Sequence, residues 1–348
     1  MQARLETPAT WLGPDMAANP NRWTWVLSDD EIATLRQAAE NFLTTGRDLA
    51  KLRADNFDLP APLCNKLLDL RNTLINGQGF SLLRGLPVAD LTRAEAATIF
   101  YGIGAHLGHA RSQNARGHLL GHVTDLGADP NDPNTRIYQT HARQSFHTDS
   151  ADVVGLLCLR DAKDGGDSLL VSAEVIWNAM YEARPELALL LCDEISTDRR
   201  GEVPEGAEPF FNIPVFNWFA GKLSGIYQRQ YIDSAQRFPD AVRLTARHVE
   251  ALDLFDTLAN DPALNFRMRL SPGDMQFVYN HALLHDRTGF TDHADPDMRR
   301  HLLRLWLAIP GDRALPPAFA ARYGRIEVGN RGGVDVPGER LIAPLSPV

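Results

Sequence analysis

The sequence predicts a mainly β fold, a sandwich or barrel with flanking helices, on three observations. From about Leu119 onward, short apolar or alternating runs recur between Gly, Asp and Asn residues, the pattern of strands and their turns. Helical periodicity is concentrated in the first third of the chain and returns in only two later segments. Strand-like runs do not alternate with helices, which argues against a doubly wound parallel sheet.

In chain order, Ser28 and Glu31 frame a capping box ahead of the periodic IATLRQAAENFL, since each side chain satisfies an N–H that a first helical turn leaves open. A second periodic segment, Ala61 to Asn76, is predicted to stop at Gly77. GFSLLRGLPV (79–88) reads as a short buried strand. Thr92 and Glu95 frame another capping box, whose helix is expected to fade at Gly102 and Gly104. LLGHVTDLG, SADVVGLLCLRDA and DSLLVSA then read as strands, with helices at about 173–191 and 245–260. PVFNWFAGKLSGIYQRQYI (214–232) predicts a hairpin turning at Ala220-Gly221. FRMRLSPGDMQFVYN (266–280) predicts two strands around Ser271–Asp274, and HLLRLWLAI (301–309) one more. Pro and Gly density makes 311–348 an irregular arm, expected to pack over the barrel or a neighbouring subunit. The chain is read as one domain: a helical part (1–78), a core (79–310) and the arm (311–348).

Composition narrows the function. With 348 residues, 44% hydrophobic and 23% charged, the chain can bury a substantial core. Lys+Arg 35 against Asp+Glu 44 gives −9, without basic blocks, so nucleic acid is not an expected partner. No apolar run approaches the ~18 residues of a membrane span, and the first residues lack a secretory signal's apolar core. Cys64, Cys158 and Cys192 lack CxxC spacing, which points to a reducing cytoplasm. The expectation is a cytoplasmic enzyme acting on a small molecule, with no membrane partner and homo-oligomerisation left open.

Three weak signals carry chemistry. On an extended chain residues i and i+2 project to one side, so His147 and Asp149 in SFHTDSADVVGLL offer an imidazole and a carboxylate to one space. Alone, such a pair also reads as a surface contact, and His293-Ala-Asp295 repeats it in a loop. His281 and His285 follow a strand. On a helix they would suggest zinc, but the Glu of HExxH is missing. Alternation along HLLRLWLAI puts Arg300, Leu302 and Arg304 on one side, an expensive burial of charge that a carboxylate ligand would relieve. GIGAHLG (102–108) lacks the spacing and preceding strand of a dinucleotide loop. Two imidazoles and a carboxylate together make the facial triad that holds Fe(II) and leaves positions open.

The ordered segments FHTD (146–149), GGDSLLVSA (165–173), PGDMQFVYNHALLHDRTGFTD (272–292) and RRHLLRLWL (299–307) resemble a known family. It is the Fe(II)/2-oxoglutarate-dependent dioxygenases of the TauD/TfdA type, related to clavaminate synthase, and the resemblance covers roughly 79–310. It implies a double-stranded β-helix (jelly-roll) core with helices buttressing one sheet. It implies His147, Asp149 and His285 as iron ligands and catalytic residues, His285 being preferred to His281 through the family's Asn-x4-His-x-Arg pattern at Asn280, His285 and Arg287. Arg300 matches the arginine on the distal carboxylate of 2-oxoglutarate, and Arg304 one near its C1 carboxylate or the substrate. Ser168 stands where the family usually has Thr, keeping a hydroxyl donor for the distal carboxylate.

The resemblance implies Fe(II), the cosubstrate 2-oxoglutarate and O2, and oxidation of a substrate C–H bond, by default hydroxylation, with release of succinate and CO2. The substrate is expected to be a small organic acid or amino-acid-like molecule, anionic or zwitterionic. Tyr138, Arg143, Gln144, Phe146, Phe216, Trp218 and Tyr227 are its candidate contacts. Two other readings stand beside this one, a zinc hydrolase using His281 and His285 and a non-catalytic ligand-binding jelly roll.

Overall fold

A computed structural model describes residues 4–129, 135–204, 206–334, 338 and 340–347. Residues 1–3 of the expected helical part, and 335–337, 339 and 348 of the expected arm, lie outside the described residues. Two sheets face each other. The larger runs Thr24–Val26, Phe80–Arg84, Met275–Tyr279, Val153–Arg160, His301–Ala308, His109–Arg111, with Leu120–Val123 also paired to His301–Ala308. The smaller runs Phe266–Met268, Ser168–Ser172, Leu283–Arg287, Gln144–His147. From Gln144 the chain passes back and forth between them: 144–147 small, 153–160 large, 168–172 small, 275–279 large, 283–287 small, 301–308 large. That alternation is the double-stranded β-helix.

Strand periodicity gives each sheet a helix-facing side and an inner side. In Met275–Tyr279, Phe277 meets Phe100 of the helix Arg93–Leu107 with ring centroids 6.0 Å apart, while Gln276 reaches inward to Ser168. In Val153–Arg160, Val154 and Leu156 line the inner pocket. Gly155 faces the helices, where a Cβ would lie 2.8 Å from the Phe277 ring. The main apolar core joins the large sheet to Asp29–Thr44, Ala61–Asn76 and Arg93–Leu107, and a second joins the small sheet to Ala173–Ala183, Pro185–Leu190 and Ala246–Ala259.

Both capping boxes form, at Ser28 and Thr92, and the second helix ends at Asn76 before Gly77. The helix opened by Thr92 does not fade at Gly102 and Gly104 but runs to Leu107. Both glycines serve close packing: a Cβ would stand 2.4 Å from Phe57 at Gly102 and 2.7 Å from Leu305 at Gly104. The expected helix over 173–191 is two, broken at Arg184 because Pro185 disfavours the helical conformation of the residue before it. The hairpin is Phe216–Phe219 with Lys222–Gly225, turning through Ala220 (φ 48°) and Gly221 (φ 78°). Its predicted continuation is instead the helix Arg229–Ala235, which buries Ile232 and Ala235 and pairs Arg229 with Asp233 one turn on. The strands flanking Ser271–Asp274 belong to different sheets, so this turn is a crossing rather than a hairpin.

The arm is not wholly irregular, since Pro317–Phe319 and Ala320–Tyr323 form successive helical turns. It packs over its own chain. Gly333 N donates to Ser150 O (2.7 Å), and buried Arg331 donates to Asp152 (2.7 Å) and Asp312 (2.8 Å).

Candidate metal centre

Antiparallel pairing of Leu283–Arg287 with Gln144–His147 sets His285 directly opposite His147, with ring centroids 4.1 Å apart. His147 ends its strand, and Asp149 follows in a turn that Asn280 fixes. Asn280 Oδ1 accepts from Asp149 N (3.0 Å), and its amide nitrogen donates to Ala151 O (3.0 Å). Asp149 then lies 4.0 Å from His147 Nε2 and 3.7 Å from His285 Nε2, and one donor atom from each residue falls within 4.8 Å of the others. Two donors bound at about 2.1 Å to one ion stand no more than roughly 4.2 Å apart, so both separations fit a shared cation.

Protonation states fit as well. Burial pushes His285 down to about 3, aided by the His147 imidazole, and burial also lowers His147, so both rings are neutral. Burial works to raise the Asp149 carboxyl, but Arg304, His285, His147 and a hydrogen bond from Trp306 Nε1 (2.8 Å) carry it below its ordinary value. His147 Nδ1 donates to Ser145 O (2.9 Å), which leaves the Nε2 lone pair facing inward. His285 Nδ1 is buried without a partner among the described residues. Two neutral imidazoles and an ionised carboxylate are the donor set a divalent transition metal requires.

Between the sheets, beside these three residues, is a pocket with Val123, Leu156, Leu270 and Leu302 among its apolar walls. Arg300 and Arg304 project into it with Leu302, as alternation predicts. Arg300 is buried, its Nη1 lacks a hydrogen-bond partner, and no carboxylate among the described residues forms an ion pair with it. Burial pushes its guanidinium down to about 10. A buried, unpaired cation is costly, and a carboxylate ligand would remove that cost. Gly166 (φ +74°) flanks it, where a Cβ would stand 3.0 Å from Arg300 Nε. Ser168 Oγ lines the same pocket and donates to Gln276 Oε1 (3.1 Å); turning that amide over would free the hydroxyl for a ligand. Arg304 donates Nε to Gln113 (2.7 Å), stands 3.7 Å from Asp149, and packs on Tyr138 and Trp306. Arg287 donates to Thr140 O (3.0 Å), tying down the segment that carries Tyr138.

Of the expected substrate contacts, Tyr138 and Gln144 line the pocket, and Gln144 Nε2 lies 2.8 Å from His147 Nε2. The others are corrected. Arg143 turns outward to Asp286 (2.6 Å) and Asn260 (2.6 Å). Phe146 projects to the other face of its strand into the second core, where Phe216, Trp218 and Tyr227 also pack around Trp177 and Phe255. Tyr227 contributes through its backbone, exchanging hydrogen bonds with Thr148 between the two ligand candidates. His281 points away from His285 and bonds Asp152 (2.8 Å), so the zinc pair of the rival reading does not form. Asp152, His281 and Asp312 also cluster, but Arg331 occupies the charge between the carboxylates. Sequence reasoning missed Trp306, Gln113 and Gln276. Alternation places Trp306 on the side of Arg300 and Arg304, and a Gln in the apolar run MQFVY asks for a buried partner.

A family profile described as "Taurine catabolism dioxygenase TauD, TfdA family" matches residues 45–306. The chain is similar to FR-33289 synthase of Streptomyces rubellomurinus, 34% identical over 315 residues covering 87% of this chain and 91% of that protein. It is 30% identical to the taurine hydroxylase-like protein SAT17 of Stachybotrys chartarum over 315 residues, 88% of this chain and 80% of that one. Among solved structures, asparagine oxygenase in complex with Fe(II), 2S,3S-3-hydroxyasparagine and succinate aligns with a TM-score of 0.63 at 21% identity, covering 82% of this chain and 93% of that one. The non-heme iron oxygenase OrfP in complex with Fe and alpha-ketoglutaric acid aligns at 0.61 and 14% identity, with the same 82% and 93% coverage.

Proposed function

The chain belongs to the TauD/TfdA family and is an Fe(II)- and 2-oxoglutarate-dependent dioxygenase; from this premise we propose that His147, Asp149 and His285 hold the iron, and Arg300 and Ser168 the distal carboxylate of 2-oxoglutarate. The substrate in this reading is a small organic acid or amino-acid-like molecule that becomes hydroxylated. The hydroxylated amino acids held by asparagine oxygenase and by OrfP support that class. One observation carries the assignment: two neutral imidazoles and a carboxylate converge beside a buried guanidinium that forms no ion pair with a carboxylate among the described residues.

Bound there, ferrous iron, 2-oxoglutarate and O2 supply the oxidising power that turns a C–H bond into C–OH as succinate and CO2 are released. The chain's own residues position and insulate that chemistry. Trp306 and Arg304 hold Asp149 from one side, and Asn280 holds its backbone from the other. Arg300 supplies the charge that selects a dicarboxylic cosubstrate, and the aliphatic walls keep bulk water from the reacting carbon. Core residues from Ala9 to Ala343 belong to one cluster, which supports the chain acting as one domain. No helix among the described residues is long and apolar enough to cross a membrane. The three unpaired thiols support a reducing, cytoplasmic setting.

Anaerobic addition of Fe(II) and 2-oxoglutarate tests the assignment through the weak visible metal-to-ligand charge-transfer band. His147→Ala and Asp149→Ala should each abolish the band. Arg300→Ala should keep Fe(II) and demand far more 2-oxoglutarate. A full band in Asp149→Ala, or activity restored by zinc and not by iron, would overturn the ligand set.

A further inference from the structure

A second recess opens from the candidate metal centre and shares Tyr138, Gln144, His147, Asp149 and Arg304 with its pocket. Beside Ile137 and Trp306, its remaining lining is polar and cationic, including Arg136, Ser150, Gln228, Tyr231 and Arg322. The cations near the centre differ in what they already hold. Arg143 is spent on Asp286, Arg304 is held between Gln113 and Asp149, and Arg136 pairs with Glu202. Arg322 gives only its Nε to a neutral hydroxyl, Ser150 Oγ (2.7 Å), and no carboxylate among the described residues forms an ion pair with it. Counting Glu202 behind Arg136, three guanidiniums meet two carboxylates among the described residues. Burial lowers the Arg322 pKa, and the Glu202 carboxylate opposes it more than Arg136 repulsion adds to it.

Building on the dioxygenase reading above, we propose that Arg322, assisted by Arg136, Gln228 and Tyr231, is the subsite for the substrate's anionic end, an oxyanion such as a carboxylate, sulfonate or phosphonate. Arg322 lies on the helical turn Ala320–Tyr323 of the arm, past residue 306 where the family match ends, while Arg136, Gln228 and Tyr231 lie within that match. It is held rigidly: Gly333 N and Arg331 bind Ser150 O and Asp152, and Arg322 itself binds Ser150, the neighbour of Asp149. A preorganised guanidinium gives more affinity per contact than a mobile one. Because it anchors beside Asp149, the oxidised carbon is placed a few bonds from the anionic group, which selects short acids over long ones.

The test titrates methylphosphonate, methanesulfonate and acetate separately into anaerobic protein loaded with Fe(II) and 2-oxoglutarate, by calorimetry, while the charge-transfer band reports the cosubstrate. At least one probe should bind, and the tightest names the oxyanion. Arg322→Gln should weaken that probe by at least about ten-fold with the band unchanged, and Arg322→Lys should recover part of the loss. Should Arg322→Gln misfold and lose the band, Arg136→Gln carries the same expectation in weaker form. Wild-type protein that shows the band and binds no probe overturns the subsite, as does Arg322→Gln with wild-type affinity for the tightest probe. Wild-type protein without the band instead overturns the dioxygenase assignment on which the subsite rests.

Discussion

Trp306→Phe tests how far the metal centre depends on a residue that would not touch the metal. The indole Nε1 donates to Asp149 Oδ2 at 2.8 Å, both groups are buried, and Arg304 packs on the same ring. Phenylalanine keeps most of the ring and removes the donor. A buried hydrogen bond to a charged group contributes about 1.5–3 kcal/mol, and one decade of affinity corresponds to about 1.4 kcal/mol. If most of that bond's worth goes to aligning the carboxylate for a cation, divalent-metal affinity should fall about 10–100-fold. The smaller ring also costs stability, but that cost is common to the metal-free and metal-bound states and cancels from the dissociation constant. Leu303→Ala is the control. It lies on the opposite, helix-facing side of the same strand and is fully buried, so it should lose about 2–5 kcal/mol of stability and leave metal affinity unchanged. Competition titration with a chelator measures the first quantity and urea denaturation the second. A Trp306→Phe protein that binds metal within about two-fold of wild type would show that Asp149 is oriented without the indole.

Two further expectations concern stability. His301 donates toward His122 (2.8 Å between ring nitrogens), and burial, with His122 nearby, pushes it down from 6.5 to about 3. The unfolded chain therefore takes up this proton first, so the contribution is full above about pH 6.5 and drains as pH falls toward 3, by about 1.4 kcal/mol per pH unit. His301→Gln should flatten the dependence of urea midpoints between pH 7 and pH 5 by about one proton; equal slopes would refute this. Arg331 neutralises buried Asp152 and Asp312, so Arg331→Met should cost about 3–5 kcal/mol, read as a lower melting temperature. Adding Asp152→Asn should recover part of that loss, and strictly additive losses would show that the ion pair is not the source.

Features set by neighbouring residues are legible in the sequence. Capping boxes at Ser28 and Thr92 are adjacent-residue chemistry, and the alternation that turns Arg300, Leu302 and Arg304 inward is a property of one strand. Structure departs from local expectation where a residue's role depends on a distant partner. Gly102 and Gly104 look like helix breakers until Phe57 and Leu305 occupy the space beside them. Phe146, Phe216, Trp218 and Tyr227 are pocket candidates by sequence because aromatic side chains suit pockets as well as cores; which side of a sheet is covered by helices decides between them. Arg143 is a candidate substrate contact by sequence because its partner Asp286 stands far away along the chain.

Composition and local pattern by themselves determined the β-rich class, the helix starts, and the residue types able to bind a metal and a dicarboxylate. Those follow from backbone geometry and side-chain chemistry, which act over a few residues. The family pattern around Asn280 and Arg287 already preferred His285 to His281, but only the tertiary structure decided that Trp306 and Arg304 hold the Asp149 carboxylate, and that Arg322 comes back from the arm to the centre. Each of these depends on strand register and on burial of charge, and both are fixed only when segments more than a hundred residues apart exclude water from between them.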